Sequence, residues 1–290
     1  MTLPAPTKLT RRYLLDFTWR AAVFLLILYI YLRERTLLDI TEQSRFFWPL
    51  SLLWIAVLIS MLAQLNPKSG LTTGCMKQYV SGFVPADNYD REKLKQTVRQ
   101  QNTGALKVAA VWLAVNGIFG LLYAKGIFTA AELVLLCAFY YLCDLICVLF
   151  FCPFQTFLMK NRCCVNCRIF AWGSWMMATP LIFVPHIYAH SLVAASVLVL
   201  IVWEYRFFKF PERFWFGSNC LLQCAHCKEQ LCRYKVPTSP KFTALKKAIK
   251  NGLQSIYFIS IPPILQSMAQ ATIISSPCLF WLIFFSLQEF

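Results

Sequence analysis

The chain has 290 residues, of which 58% are apolar, 16% aromatic and only 14% charged. A soluble domain carries about a quarter charged residues, and no single soluble core hides this much apolar surface, so the composition excludes an ordinary soluble enzyme, a disordered chain and a collagen-like chain. It points to a polytopic membrane protein, in which the net charge of +15 becomes a question of which side of the bilayer holds the Lys and Arg.

A spanning helix needs about 20 mostly apolar residues. The first such run is Trp19 to Leu32, extended backward through Tyr13, Leu14, Leu15 and Phe17. Asp16 and Arg20 lie four apart in this extension and can pair on one helical face. No small-residue cleavage site follows Leu32, because Arg33, Glu34 and Arg35 do, so the run reads as an anchor. Phe46 to Leu65 forms the second span, closed by Asn66-Pro67. The following loop contains a polar helix over Asp90 to Gln101, capped near Asn88 and stopped by Asn102-Thr103-Gly104. Ala105 to Tyr123 is the third span, Ala130 to Cys152 the fourth, Ile169 to Tyr188 the fifth with Pro180 and Pro185 inside it, and His190 to Phe208 the sixth. From Ser255 the chain is apolar again but carries Pro262-Pro263, which gives a candidate seventh span, and 278–288 is too short to cross alone.

The fold class is therefore an all-α polytopic transmembrane bundle of six spans and a candidate seventh. Its parts are an N-terminal tail with two spans (1–65), a cytoplasmic loop (66–104), four spans with a Cys-rich loop at 153–168 (105–208), a Cys-rich and basic segment (209–252) and an apolar C-terminal segment (253–290).

Charge orients the bundle. With a cytoplasmic amino terminus, 22 of the 28 basic residues fall on inside segments, counting Arg206 at the end of the sixth span. The outside loops hold Arg33, Arg35, Arg45 and Lys125. This is the positive-inside pattern. It places the protein in the plasma membrane as a multi-pass chain, and Lys241 to Lys250 reads as an interfacial helix over anionic inner-leaflet lipid. Topology accounts for the charge and no nucleic-acid motif accompanies it, so nucleic acid is not an expected partner. The expected partners are the bilayer and other membrane proteins.

The cysteines carry the chemistry. Eight of the 13 lie on the inside segments: Cys152, Cys163, Cys164, Cys167, Cys220, Cys224, Cys227 and Cys232. That compartment is reducing, so clustered thiols there point to metal before disulfides. Cys164-x-x-Cys167 and Cys224-x-x-Cys227 are two knuckles joined by the fifth and sixth spans, a hairpin that returns the chain to its starting face. Together they supply the four thiolates of a tetrahedral zinc site, with Cys152, Cys163, Cys220 and Cys232 as alternate ligands. Arg162, Arg168, Lys228 and Arg233 flank the knuckles and favour the thiolate form. Eight cysteines on one face also suffice for two [4Fe-4S] clusters. Cys75, Cys137, Cys143, Cys147 and Cys278 read as small apolar packing.

Asp144 lies about 12 Å inside the inner end of the fourth span. An ionisable residue there is a functional candidate, with helix-bonding as the alternative and Asn116 as a candidate partner. His186 and His190 read as a wet outer loop, Glu132 and Glu204 as interfacial side chains, and Trp172, Trp175, Trp203, Trp215 and Tyr205 as an aromatic belt. No Walker loop, dinucleotide fingerprint or H-E-x-x-H stretch is present. The expectation is a non-enzymatic membrane component (a scaffold, partner subunit or small transporter) whose inner face is held by zinc. The rival is an iron–sulfur electron carrier, an oxidoreductase component.

Overall fold

The computed structural model describes residues 8–38, 48–68, 73–161, 163–229 and 231–233. Among these the protein is helical, with one isolated β-bridge between Pro85 and Asn219 and no strand. The candidate seventh span, the basic helix at 241–250 and the loop around Arg45 fall outside the described residues.

Four helices are long and apolar enough to cross a bilayer: α1 (Lys8–Arg33), α4 (Arg91–Ala124), α5 (Ala130–Leu149) and α7 (Ile187–Lys209). They correspond to the first, third, fourth and sixth expected spans. The second, α2 (Trp48–Ala63), has 16 residues and is about 24 Å long, short of a full crossing. The fifth is not one helix. It consists of α6 (Gly173–Ala178) followed by a 3-10 stretch, Thr179–Phe183. Pro180 at the start of that stretch removes a backbone donor. Extended Val184 before Pro185 then ends the helical run. Between α2 and α4 the described residues form two short turns, α3 (Thr73–Met76) and a 3-10 turn, Val80–Gly82.

The expected stop at Asn102–Gly104 is absent. The polar helix and the third span are one 34-residue helix, α4, about 51 Å long. Its cap is Asp90, whose carboxylate accepts from Glu92 N at 2.9 Å and Lys93 N at 3.2 Å. Gly104 serves packing: a Cβ there would lie 2.9 Å from the sulfur of Met159, at the end of a π-helical turn over Phe154–Leu158.

α5 opens with a capping box between Thr129 and Glu132. Glu132 also accepts from Tyr31 Oη at 2.8 Å and pairs with Arg35, so the capping residue ties the C-terminal end of α1 to the start of α5. Near the opposite end, Gln64 after α2 donates to Ser174 of α6 at 2.9 Å, and Arg168 pairs with Glu204 late in α7. These cross-links set the segments in alternating direction, with the described parts of the 64–90, 150–172 and 210–233 connections gathered at one end.

The broken fifth segment is the axis of the bundle. Met177, Ala178, Thr179 and Leu181 are all under 5% exposed and pack with Met61, Trp112, Leu133, Tyr140, Leu192 and Val199. The perimeter carries exposed Leu25, Leu26, Ile59, Leu113, Ile201 and Phe208. An apolar perimeter of this extent belongs against lipid.

Candidate functional site

Arg12, Asp16 and Arg20 recur every four residues along one face of α1, an alternation of positive, negative and positive charge. Arg20 pairs with Asp16 at 3.1 Å, as the spacing predicts, and with Asp144 of α5 at 2.9 Å. It also donates to the carbonyl of Tyr141 at 3.0 Å and stacks 4.1 Å over that ring. Asp144 therefore finds its partner on α1. Asn116 instead donates to its own helix at Trp112 O, 2.9 Å away.

These charges open onto a cavity of about 490 Å³ between α1, α2, α5 and α6. Its wall includes Arg12, Asp16, Arg20, Asp144, Ser60 and Gln64. Gly173, the first residue of α6, stands against Asp144 so closely that a Cβ would fall 2.2 Å from Oδ1. The cavity is in the size range of small-molecule sites, about 300–1,000 Å³.

The three connections below it interlock as a cap. Ala86 N donates to Ser218 O at 3.0 Å, Cys220 N to Val84 O at 2.8 Å and Asn219 Nδ2 to Gly82 O at 3.0 Å. Glu229 is fully buried and accepts from Gly74 N at 2.7 Å. Arg168, bonded by Glu204, lies 3.6 Å over Phe207, and Trp172 donates to the same carboxylate at 2.8 Å. Trp203 is buried and donates to Arg168 O at 2.9 Å. Trp172 and Trp203 thus belong to the core of the cap, where an aromatic belt had been expected, while Glu204 is part-exposed at its edge and Tyr205 is exposed.

At the centre of the cap is Lys77, with no exposed surface. Its ammonium donates to Val165 O and Cys167 O, both at 3.0 Å, and faces the rings of Phe170, Trp203 and Phe214 at 5.1 to 5.9 Å. Burial pulls its pKa down to about 8, against the raising effect of the neighbouring Cys167. Lys77 had no signal in the sequence beyond being one lysine of a polar loop. Neither did Gln155, which is buried beside the cysteines.

The cysteines separate into two environments. Cys164 and Cys167 are buried, whereas Cys224 and Cys232 are exposed and Cys163, Cys220 and Cys227 lie between. Cys164 Sγ donates to Gln155 Oε1 at 3.2 Å, and Gln155 N donates to Cys152 Sγ at 3.4 Å. Burial pushes the Cys167 thiol up to about 12 and also raises that of Cys163. The flanking cations were expected to favour thiolates, but Arg168 is engaged by Glu204 and desolvation governs these two sulfurs. Cys163 lies within electrostatic range of Cys227 and Cys232. Among the described residues, no three His, Cys, Asp or Glu side chains form a group that could hold a metal ion. His186 caps α7, its Nδ1 accepting from Tyr188 N at 3.3 Å.

Comparison with known proteins finds no protein-family model, no curated protein and no solved structure that matches the chain.

Proposed function

We propose that this protein is a small multi-pass carrier of the plasma membrane, its amino terminus cytoplasmic, whose solute site is the cavity at Arg20 and Asp144. The observation that carries this reading is that four charged side chains, Arg12, Asp16, Arg20 and Asp144, line one cavity of about 490 Å³ bounded in part by α1 and α5, two helices of bilayer length. Ionisable groups at membrane depth are costly, and where they line a cavity they mark a solute or proton path. The cap would face the anionic inner leaflet, and contact with other membrane proteins would add to that role.

The test is access. Ser60→Cys and Ser174→Cys, in a background lacking the native exposed thiols, place reporters on the cavity wall. A charged, membrane-impermeant methanethiosulfonate should modify both from the inner face, and Asp144→Asn should change the rate. Two unreactive reporters would make the cavity a dry crevice and Arg20–Asp144 a helix bond.

A second reading is a cap held by zinc. It is supported by one arrangement: Cys163 lies within electrostatic range of Cys227 and of Cys232, which come from a different connection. Closing a site there needs the two loops to draw together around the ion. Stoichiometric zinc in anaerobically purified protein supports this reading. Iron with acid-labile sulfide and a visible absorption band supports [4Fe-4S] clusters instead, and neither metal removes both.

A further inference from the structure

Below the end of α5 lies a second cavity, of about 90 Å³, whose lining includes Cys143, Cys147, Cys152, Cys164, Cys167 and Met176. Buried cysteines ordinarily fill space as small apolar groups. These surround a space that none of them fills. Two of their sulfurs converge on one residue, since Cys164 Sγ donates to Gln155 Oε1 at 3.2 Å and Cys152 Sγ accepts from Gln155 N at 3.4 Å. Gln155 is presented there by the π-helical turn Phe154–Leu158, a rare backbone form that recurs at functional sites. The volume is far below the roughly 300 Å³ of the smallest organic-ligand pockets. It is ample for an ion.

Sulfur dominates the lining: five thiols and a thioether, beside the carboxylate of Asp144 and the amide of Gln155. Soft sulfur ligands select Cu(I), zinc and iron–sulfur clusters among biological metals. Zinc and clusters take four ligands in fixed geometry, and no group of even three is preformed here. A monovalent d10 ion requires only two sulfurs.

We propose that the thiol-lined cavity is a site for a soft monovalent cation, Cu(I), taken by two of Cys152, Cys164 and Cys167. Binding is without redox change: two S–H bonds break, two metal–sulfur bonds form and two protons leave. The product is a bis-thiolate complex with one negative charge. The buried Lys77 ammonium, held to the carbonyl of Cys167 at 3.0 Å, supplies the matching positive charge. Asp144, Val148, Phe170 and Gly173 line both this cavity and the 490 Å³ one. They form the wall the two cavities share, and the carrier reading routes ion and protons across it. The assignment rests on the carrier reading for that route and names its cargo; binding itself stands apart from it.

The experiment titrates purified, reduced protein anaerobically with Cu(I) against a chromophoric Cu(I) chelator, with Ag(I) as a redox-silent surrogate. One tightly held equivalent is expected. Replacing Cys164 and Cys167 by Ser should weaken it by about 100-fold or more, and replacing Cys224, Cys227 and Cys232 should leave it unchanged. Because the first variant removes buried groups, the same question is put to the intact chain. Ag(I) should shield two of Cys152, Cys164 and Cys167 from alkylation on unfolding, as read by peptide mass spectrometry. Loss of binding in the Cys224, Cys227, Cys232 variant, shielding confined to those three, or no tight equivalent each overturns the proposal. Cu(I) uptake into proteoliposomes is measured separately. Binding without uptake overturns the carrier reading and leaves the site in place.

Discussion

A lysine with no exposed surface must find its solvation inside the protein, and Lys77 finds it in two carbonyls and three aromatic faces. Its pKa of about 8, against an ordinary 10.5, makes the charged form in the fold about 3 kcal/mol less favourable than in the unfolded chain. The sign follows from proton counts. Between pH 8 and 10.5 the unfolded chain binds the proton more tightly than the folded one, so stability rises with pH across that window. Below pH 8 the cost is fully present, and above 10.5 it is gone. Lys77→Met deletes this dependence, so the stability difference between wild type and variant should move in favour of wild type by about 3 kcal/mol from pH 8 to 10.5. Denaturation in detergent at a series of pH values measures it, and a flat difference would mean that the ammonium is solvated. Cys167 acts in the opposite direction. Its thiol is held up to about 12, so its contribution is present below the ordinary thiol value of 9 and fades as pH rises toward 12. None of this was legible in the sequence, where burial is inferred from apolarity and a lysine in a polar loop reads as solvated. The Asp16–Arg20 pair was legible, because four-residue spacing fixes a helical face. Its extension to Asp144 was not, because that contact joins residues 124 apart.

Hydropathy locates apolar stretches well, and the limits of α1, α4, α5 and α7 at the end away from the cap lie close to those of the runs read from the sequence. It is blind to backbone hydrogen bonding, which decides the fifth segment. Pro180 and Pro185 divide an apolar run of full spanning length into a six-residue helix and a 3-10 stretch. It also misreads Gly104, since a glycine after Asn and Thr resembles a stop. In the folded chain it is the close contact between α4 and Met159. The two packing glycines should respond differently to a methyl group. At Gly104 the nearest atom is a mobile methionine sulfur at 2.9 Å, which can swing away, so Gly104→Ala should be nearly neutral. At Gly173 the new Cβ would meet Asp144 Oδ1 at 2.2 Å, and the carboxylate must withdraw from Arg20. Gly173→Ala should therefore cost about 1–3 kcal/mol. Most of that loss should vanish in an Asp144→Ala background, because the two changes share one contact. Additive effects in this cycle would show that the strain lies in α6 itself.

At the scale of the whole molecule, composition already fixed the class, because an apolar perimeter and a shortage of charge have one common solution in a bilayer. What composition could not supply is how three connections become one body. The cap is built from backbone contacts such as Cys220 N to Val84 O at 2.8 Å, and main-chain pairing between distant loops leaves no mark on residue type. The cap joins the basic segments that the charge count places together, so one labelling experiment bears on both. In sealed right-side-out vesicles a membrane-impermeant maleimide should leave Cys224 and Cys232, both exposed, unmodified until the membrane is permeabilised. Lys125→Cys, in the exposed turn after α4, should react at once. Cys164 and Cys167 are buried and should resist from either side until the protein is unfolded. If Cys224 reacts from outside while Lys125→Cys does not, the bundle is inverted. The cysteines would then face an oxidising space, and disulfides would replace metal as the expected chemistry of the cap. If both react before permeabilisation, an even number of crossings separates Lys125 from Cys224. The broken α6 and its 3-10 extension would then complete no passage of their own between α5 and α7, leaving the 150–172 connection on the opposite side from the one its contacts with 210–233 require.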